Sequence, residues 1–156
     1  MKLRTVASAI VVLCFVGFTL CSAAENPNMG TWKLNEAKSK IGPGAPKNTK
    51  VVYEAAGDNV KVTVDGVNAE GKPTHNEWTG MFDGKDYPLT GDPTADSRSY
   101  TKVDDHTTNL TNKKDGKVSA TGKIVISKDG KSRTVTVSGK DANGKAVKFT
   151  AVYEKE

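Results

Sequence analysis

Apolar and polar residues alternate along most of the chain after residue 29. The segments VKVTVD at 60–65 and VKFTAVY at 147–153 show this alternation most clearly. Successive side chains of a β-strand point to opposite faces, so the pattern predicts strands with one buried and one solvated face. Ten strands are predicted in this way, at 29–34, 48–55, 59–66, 73–82, 85–90, 97–104, 106–113, 117–127, 132–140 and 145–154.

Turn signals separate the predicted strands. Asp-Gly or Asn-Gly dipeptides predict type I′ hairpin turns, since both central residues of that turn need positive φ; they lie at 83–84, 115–116, 129–130 and 143–144. Residues 35–41 are long enough for one helical turn, which the GPGAP segment at 42–46 would end. Short turns between consecutive strands predict an all-β fold, an antiparallel up-and-down β-barrel of eight to ten strands, because closure leaves no free edge.

The first 24 residues have the pattern of a secretory signal. Lys2 and Arg4 precede an apolar run at 6–20, and small residues follow at 22–24. The run is shorter than the roughly twenty residues of a spanning helix, although a retained membrane anchor is the alternative. We expect cleavage after Ala23 or Ala24, a periplasmic or secreted protein, and a single barrel domain at 25–156.

Composition adds limits to this picture. Both cysteines, Cys14 and Cys21, lie in the signal, so the cleaved chain would have no disulfide, thiolate metal site or cysteine nucleophile. The 23 basic and 18 acidic side chains are interspersed and form no concentrated basic patch, so no nucleic-acid partner is predicted. Only 36% of residues are hydrophobic, which fits strands that bury one face. We expect a monomer.

Two terminal motifs carry a resemblance to a known superfamily. The GTWKL segment at 30–34 resembles the Gly-x-Trp opening of the calycins, which include lipocalins and fatty-acid-binding proteins, and VYEKE at 152–156 is similar to the last strand of the latter. The resemblance implies an exported lipocalin-like protein of bacterial type, in which Gly30 and Trp32 form a structural plug at one barrel end. It also implies a basic residue stacked on the tryptophan, either Lys148 or Lys155.

The resemblance stops at the carboxylate anchor. Fatty-acid-binding proteins hold their ligand with an Arg-x-Tyr pair on the last strand, and this chain has Ala151 where the arginine would be and keeps Tyr153. The fold is therefore implied more strongly than a fatty-acid ligand.

Six residues are candidates for contact with an interior ligand. Arg98 shares the parity of Tyr100 and could bind an anion with it through charge-assisted hydrogen bonds; the alternative is a solvated Arg98 and a Tyr100 that only packs the core. The full set is Trp78, Phe82, Arg98, Tyr100, Phe149 and Tyr153. They predict binding of a small, mainly apolar or amphipathic molecule. The alternative is an envelope or interaction module without a cavity, acting through a Lys/Thr-rich outer face.

Catalytic chemistry is not indicated. His75 and His106 have no metal-ligand spacing around them, and the sequence contains no nucleophile elbow, phosphate loop or HExxH motif. Asp92 and Asp96 could supply oxygen ligands to calcium or could simply stabilise a turn. We therefore predict a protein that is not an enzyme, with no catalytic residue, no metal, no cofactor and no membrane span after signal cleavage.

Overall fold

Ten strands make up nearly all of the regular structure in the computed structural model, which describes residues 26–140 and 144–156. The predicted signal at 1–24, with its cleavage sites, lies outside the described residues. The strands are β1 (Gly30–Leu34), β2 (Lys47–Ala56), β3 (Asn59–Val67), β4 (Pro73–Gly80), β5 (Tyr87–Thr90), β6 (Ser97–Lys102), β7 (Thr107–Lys114), β8 (Lys117–Ile126), β9 (Ser132–Lys140) and β10 (Ala146–Lys155).

The strands close into a barrel. Each pairs antiparallel with the next in sequence, and β1 pairs with β10 through Trp32 opposite Lys155 and Leu34 opposite Tyr153. The predicted all-β, up-and-down antiparallel barrel is confirmed, with ten strands. The period-two pattern explains the result, because one parity of each strand faces the interior and every strand edge has a partner.

The two barrel ends differ in their connections. We call one the Trp32 end; it carries the start of β1 and the turns that join β2 to β3, β4 to β5, β6 to β7 and β8 to β9. The opposite end carries the remaining turns and the long connection at 35–46. A 3-10 helix, Glu36–Lys38, lies in that connection and is capped by the Asn35 side chain, which accepts from the Lys38 amide at 3.1 Å. The helical turn predicted at 35–41 is thus shorter than expected.

The predicted turn type is correct at one position and wrong at two. Asp115 and Gly116 both have positive φ, as a type I′ turn requires. At 83–84 and 129–130 only the glycine has positive φ. There the aspartate side chain accepts from the amide two residues on, at 3.0 Å for Asp83 and 3.1 Å for Asp129, which stabilises a different local turn. Asn143, in the fourth dipeptide, lies outside the described residues.

No helix in the described part of the chain is long and apolar enough to cross a membrane.

Candidate ligand-binding interior

An aromatic cluster lies inside the barrel. Trp78, on β4, is buried and donates its indole N–H to the Arg98 backbone carbonyl at 2.8 Å. Its ring lies 4.7 Å from that of Tyr100 in an edge-on arrangement, and Phe82 stacks on Tyr100 at 4.9 Å. These offset and edge-on geometries are the favourable ones for aromatic pairs. Three of the predicted ligand-contact residues are therefore brought together, although Phe82 comes from the loop after β4 rather than from a strand.

Arg98 lies inside the barrel beside this cluster. Arg98 is the second residue of β6, near the barrel end opposite Trp32, and it is only 8% exposed. The guanidinium donates from Nε to Asn112 Oδ1 at 2.7 Å and from Nη1 to the Tyr100 hydroxyl at 3.3 Å. The solvated position considered for Arg98 is therefore wrong, because its strand parity places it with Tyr100. Burial raises the pKa of Tyr100, so its hydroxyl stays neutral.

Trp32 closes the barrel at the end where β1 begins. Its side chain is fully buried, and its indole N–H donates to the Asn28 carbonyl at 2.7 Å. Gly30 has φ of +105°, and a Cβ there would lie 3.0 Å from Lys155 Cε, so the glycine leaves room for that side chain. Lys155 Nζ lies 5.3 Å from the Trp32 ring centre, whereas Lys148 is exposed on the outer parity of β10. Of the two lysines considered, Lys155 is the one beside the tryptophan.

Arg133 and its neighbour Tyr53 are interior residues that are absent from the candidates predicted from the sequence. Arg133 is 2% exposed, and its guanidinium carbon lies 4.9 Å, 5.0 Å and 4.8 Å from the ring centres of Trp32, Tyr53 and Tyr153. The available signal was strand parity, because Arg133 is two residues before Val135 on the apolar parity of β9. Trp32 therefore has two cationic neighbours, Lys155 on β10 and Arg133 on β9.

The two remaining candidates lie apart from the Trp78 cluster. Tyr153 borders Arg133 and donates its hydroxyl to the Asn48 carbonyl at 3.1 Å, and burial raises its pKa to about 12. Phe149 faces the interior opposite Val137 and is half-buried. The six predicted residues consequently occupy three places, not one.

Side chains near the opposite end remain partly accessible. Val135, Val137 and Phe149 face the interior from β9 and β10 but are only half-buried, unlike the inward residues around Trp32. Ile41, from the 35–46 connection, also packs partly against the core. The connection itself is hydrogen-bonded to β10, from the Lys40 amide to the Thr150 carbonyl at 2.7 Å, so the partly accessible apolar side chains are those of β9 and β10 that face the interior.

The interior is positively charged. Among the residues that the structure describes, Arg98 and Arg133 are the buried charged residues, and no aspartate or glutamate is buried with them. Neither guanidinium has a described carboxylate within 4.0 Å. Burial lowers the pKa of Arg98, but Tyr100, Tyr53 and the more distant, half-buried Asp92 together raise it above its usual value. Burying a charge is costly unless it is paired, so this arrangement favours an anionic partner.

Two depressions lie on the outside of the barrel. One is formed by the 3-10 helix with the ends of β1 and β10, and it includes Asn35 and Glu154. The other crosses the outer face of β7, β8 and β9 and is lined mainly by threonine, serine, asparagine and lysine side chains. This second depression belongs to the Lys/Thr-rich outer face that the sequence indicated.

The other chemistry-bearing residues lie on the outer face or in turns. His75 is on the outer face, with Nδ1 2.7 Å from Asp65 Oδ1, and this hydrogen bond raises the pKa of His75. Asp92 accepts from the Thr94 amide at 2.8 Å.

His106 follows β6 in a turn, where its amide donates to Asp104 at 2.8 Å. Asp96 accepts from the Asp115 amide at 2.8 Å. Within residues 26–140 and 144–156 no three His, Cys, Asp or Glu side chains are grouped so that they could hold a metal ion.

Comparison with known proteins gives several solved structures of similar shape, including the following two. One is the redesigned beta barrel mFAP1 bound to DFHBI, with 17% identity, 85% of this chain and 98% of that chain covered, and a TM-score of 0.47. The other is EF1p2_mFAP2b bound to DFHBI, with 12% identity, coverages of 85% and 97%, and a TM-score of 0.48. No protein-family profile and no curated protein sequence matches the chain. At these levels of similarity the two barrels have no bearing on what this chain binds.

Proposed function

We propose that this chain is an exported, non-enzymatic, calycin-like barrel that binds a small, mainly apolar molecule carrying an acidic group. The observation that carries the proposal is Arg98, an interior guanidinium with no described carboxylate within 4.0 Å; the half-buried Asp92 acts on it only from a greater distance. Two of its five N–H donors bond to Asn112 and Tyr100. The others are available to an oxyanion that approaches from the interior.

The apolar part of the ligand has a surface of its own. The half-buried Val135, Val137 and Phe149 form one wall near the opposite end, and Arg98 starts at the same end on the other side of the barrel. An amphipathic acid would place its head at Arg98 and its body against this wall. Burial of that body from water supplies the apolar share of the affinity, at about 25 cal/mol per Å².

The first experiment identifies what the protein carries. Native mass spectrometry of protein purified from its own host would detect a retained acid, and dodecanoate and dodecanol then serve as matched probes in titration calorimetry. A hydrogen bond to a charged group contributes about 1.5–3 kcal/mol, so Arg98→Gln should weaken dodecanoate binding roughly ten- to a hundredfold and leave dodecanol nearly unchanged.

The matched control for Arg98→Gln is Lys102→Gln. It removes a cation from the same strand, at an exposed position whose ammonium pairs with Asp105 at 2.7 Å. This variant should bind dodecanoate as the unmodified protein does. Equal affinities of Arg98→Gln and unmodified protein for dodecanoate would remove the basis of the proposal.

The second candidate function is an interaction module without an interior ligand. The packed Trp78–Tyr100–Phe82 cluster and the outer depression across β7–β9 favour it. Chemical-shift mapping separates the two functions. Dodecanoate should perturb the inward Val135 and Val137 under the first proposal, whereas shifts confined to the outward Thr121 and Thr136 would support the second.

Export is part of the proposal and has its own test. Cell fractionation should place the protein outside the cytoplasm, and its intact mass should correspond to a chain that begins at Ala24 or Glu25. A cytoplasmic protein with residues 1–24 intact would contradict export without affecting the ligand proposal.

A further inference from the structure

Arg133 is a buried cation that the proposed ligand site does not use. It lies on β9 at the Trp32 end, whereas Arg98 starts near the opposite end on β6. Trp32, Tyr53 and Tyr153 surround its guanidinium with ring centres 4.8–5.0 Å from the central carbon. Contacts of this kind favour a cation through the ring quadrupole. They hold the guanidinium in place and leave its N–H groups to find other partners.

Two of the three guanidinium nitrogens of Arg133 lack acceptors among the described residues. Nε and Nη1 of Arg133 are both buried and have no hydrogen-bond partner among residues 26–140 and 144–156. Buried donors in folded proteins are nearly always bonded, to water or an ion where the protein offers nothing. A residue that is 2% exposed gains little from bulk solvent. A partner that is not part of the described chain is therefore indicated.

We propose that Arg133 is a binding site for a small monovalent anion at the floor of the barrel. The charge favours an anion over water, because two guanidiniums share this interior with no buried carboxylate among the described residues. The anion could be a free halide or the carboxylate of a molecule in the barrel. A water molecule that bridges Arg133 and the Asn28 side-chain oxygen, which is also buried without a partner, is the competing arrangement.

The first test measures stability as a function of the anion. Urea unfolding of the full chain is followed while sodium bromide replaces sodium gluconate at constant ionic strength and pH. A specific site gives a saturable rise in stability: at ten times the dissociation constant, the ratio of folded to unfolded protein increases about elevenfold. A response that is absent, or that stays linear without saturation, would overturn the proposal.

Two variants assign the response to a residue. Arg133→Gln should abolish the saturable bromide effect, because it removes the charge and keeps a planar polar group. Lys155→Gln is the matched control, since it removes the exposed cation on the same Trp32 ring, and it should respond as the unmodified protein does. The proposal is wrong if Arg133→Gln keeps the effect or if Lys155→Gln loses it.

A second measurement does not depend on the folding of a variant. Anomalous diffraction from crystals of the unmodified protein grown in bromide should show a peak within hydrogen-bond distance of Arg133 Nε or Nη1. A water-sized feature with no anomalous signal there would overturn the proposal. A bromide peak without the saturable effect in solution would mean binding at crystal concentration only, and would overturn it too.

The source of the anion follows from competition. Dodecanoate that displaces bromide would show that a ligand carboxylate reaches Arg133, whereas additive effects would show a separate ion site. These results do not depend on the outcome at Arg98, because the bromide effect is tested at Arg133 and the preference for dodecanoate over dodecanol is tested at Arg98.

Discussion

Replacing Trp32 by alanine tests whether the indole is a structural floor or a ligand contact. The side chain is fully buried, and truncating a buried tryptophan costs about 3–5 kcal/mol through lost transfer energy and the cavity left behind. The change also leaves the Asn28 carbonyl without its 2.7 Å donor and takes one ring from Arg133. We therefore expect a loss of unfolding free energy at the upper end of that range.

Trp32→Phe divides this loss into two parts. Phenylalanine keeps most of the buried apolar surface and the ring near Arg133 but cannot donate to the Asn28 carbonyl. An unsatisfied buried acceptor costs about 1–3 kcal/mol, and the phenylalanine variant should lose about that much. The difference between the alanine and phenylalanine variants then measures the packing of the ring.

Urea unfolding followed by circular dichroism is a suitable assay, because it does not depend on the tryptophan that is removed. Lys33→Ala is the control on the same strand. The Lys33 ammonium is exposed and makes a long surface ion pair with Glu156, at 3.8 Å, so a change within about 0.5 kcal/mol is expected. A loss below about 1.5 kcal/mol for Trp32→Ala, with an unchanged dependence on urea, would refute the structural role. Weakened dodecanoate binding in that same variant would then place Trp32 among the ligand contacts.

Three further predictions follow from other contacts. Gly66→Ala should destabilise by about 1–3 kcal/mol, because its Cβ would lie 2.2 Å from the Lys47 carbonyl oxygen, whereas Gly42→Ala, with nothing within 4 Å, should be near neutral; urea unfolding compares the two. The pKa of Tyr153, about 12 in the folded chain against 10.0 for the free group, predicts stability that is intact below pH 10 and is lost as the pH rises towards 12. An absorbance titration should lose a late-titrating phenol in Tyr153→Phe. The pKa of His75 is raised above 6.5 by Asp65, so its contribution is present below pH 6.5 and lost above the folded value; Asp65→Asn should lower that pKa in an NMR titration.

Strand positions could be predicted well because they depend on local alternation. The ten predicted strands agree with the observed ones within a few residues at each end, since the alternation of apolar and polar residues shows which side chains of a strand point inward. Turn geometry was harder. Asp83 and Asp129 resemble Asp115 in sequence, but their side chains accept amide hydrogen bonds in a turn where the aspartate keeps negative φ.

The sequence could predict that single residues face the interior, but not which of them lie together there. Parity places Arg98 and Tyr100 on one face, yet it does not say which strands face each other across the barrel. Phe82 packs on Tyr100 from a loop, which alternation does not cover. Arg133 was missed because arginine on an apolar parity is uncommon, and its aromatic surroundings come from three strands distant in sequence.

The two buried arginines are the strongest argument that this barrel does more than fold. Replacing buried ionic groups by apolar side chains of similar volume is often neutral or stabilising, so stability alone gives no reason to keep a guanidinium at Arg98 or Arg133. Trp32, Tyr53 and Tyr153 could pack against methionine or leucine at position 133 without an unbonded donor. Both positions instead present charge to an interior whose described residues include no buried carboxylate. A barrel that holds an anion makes use of both charges, and one that serves only as a scaffold makes use of neither.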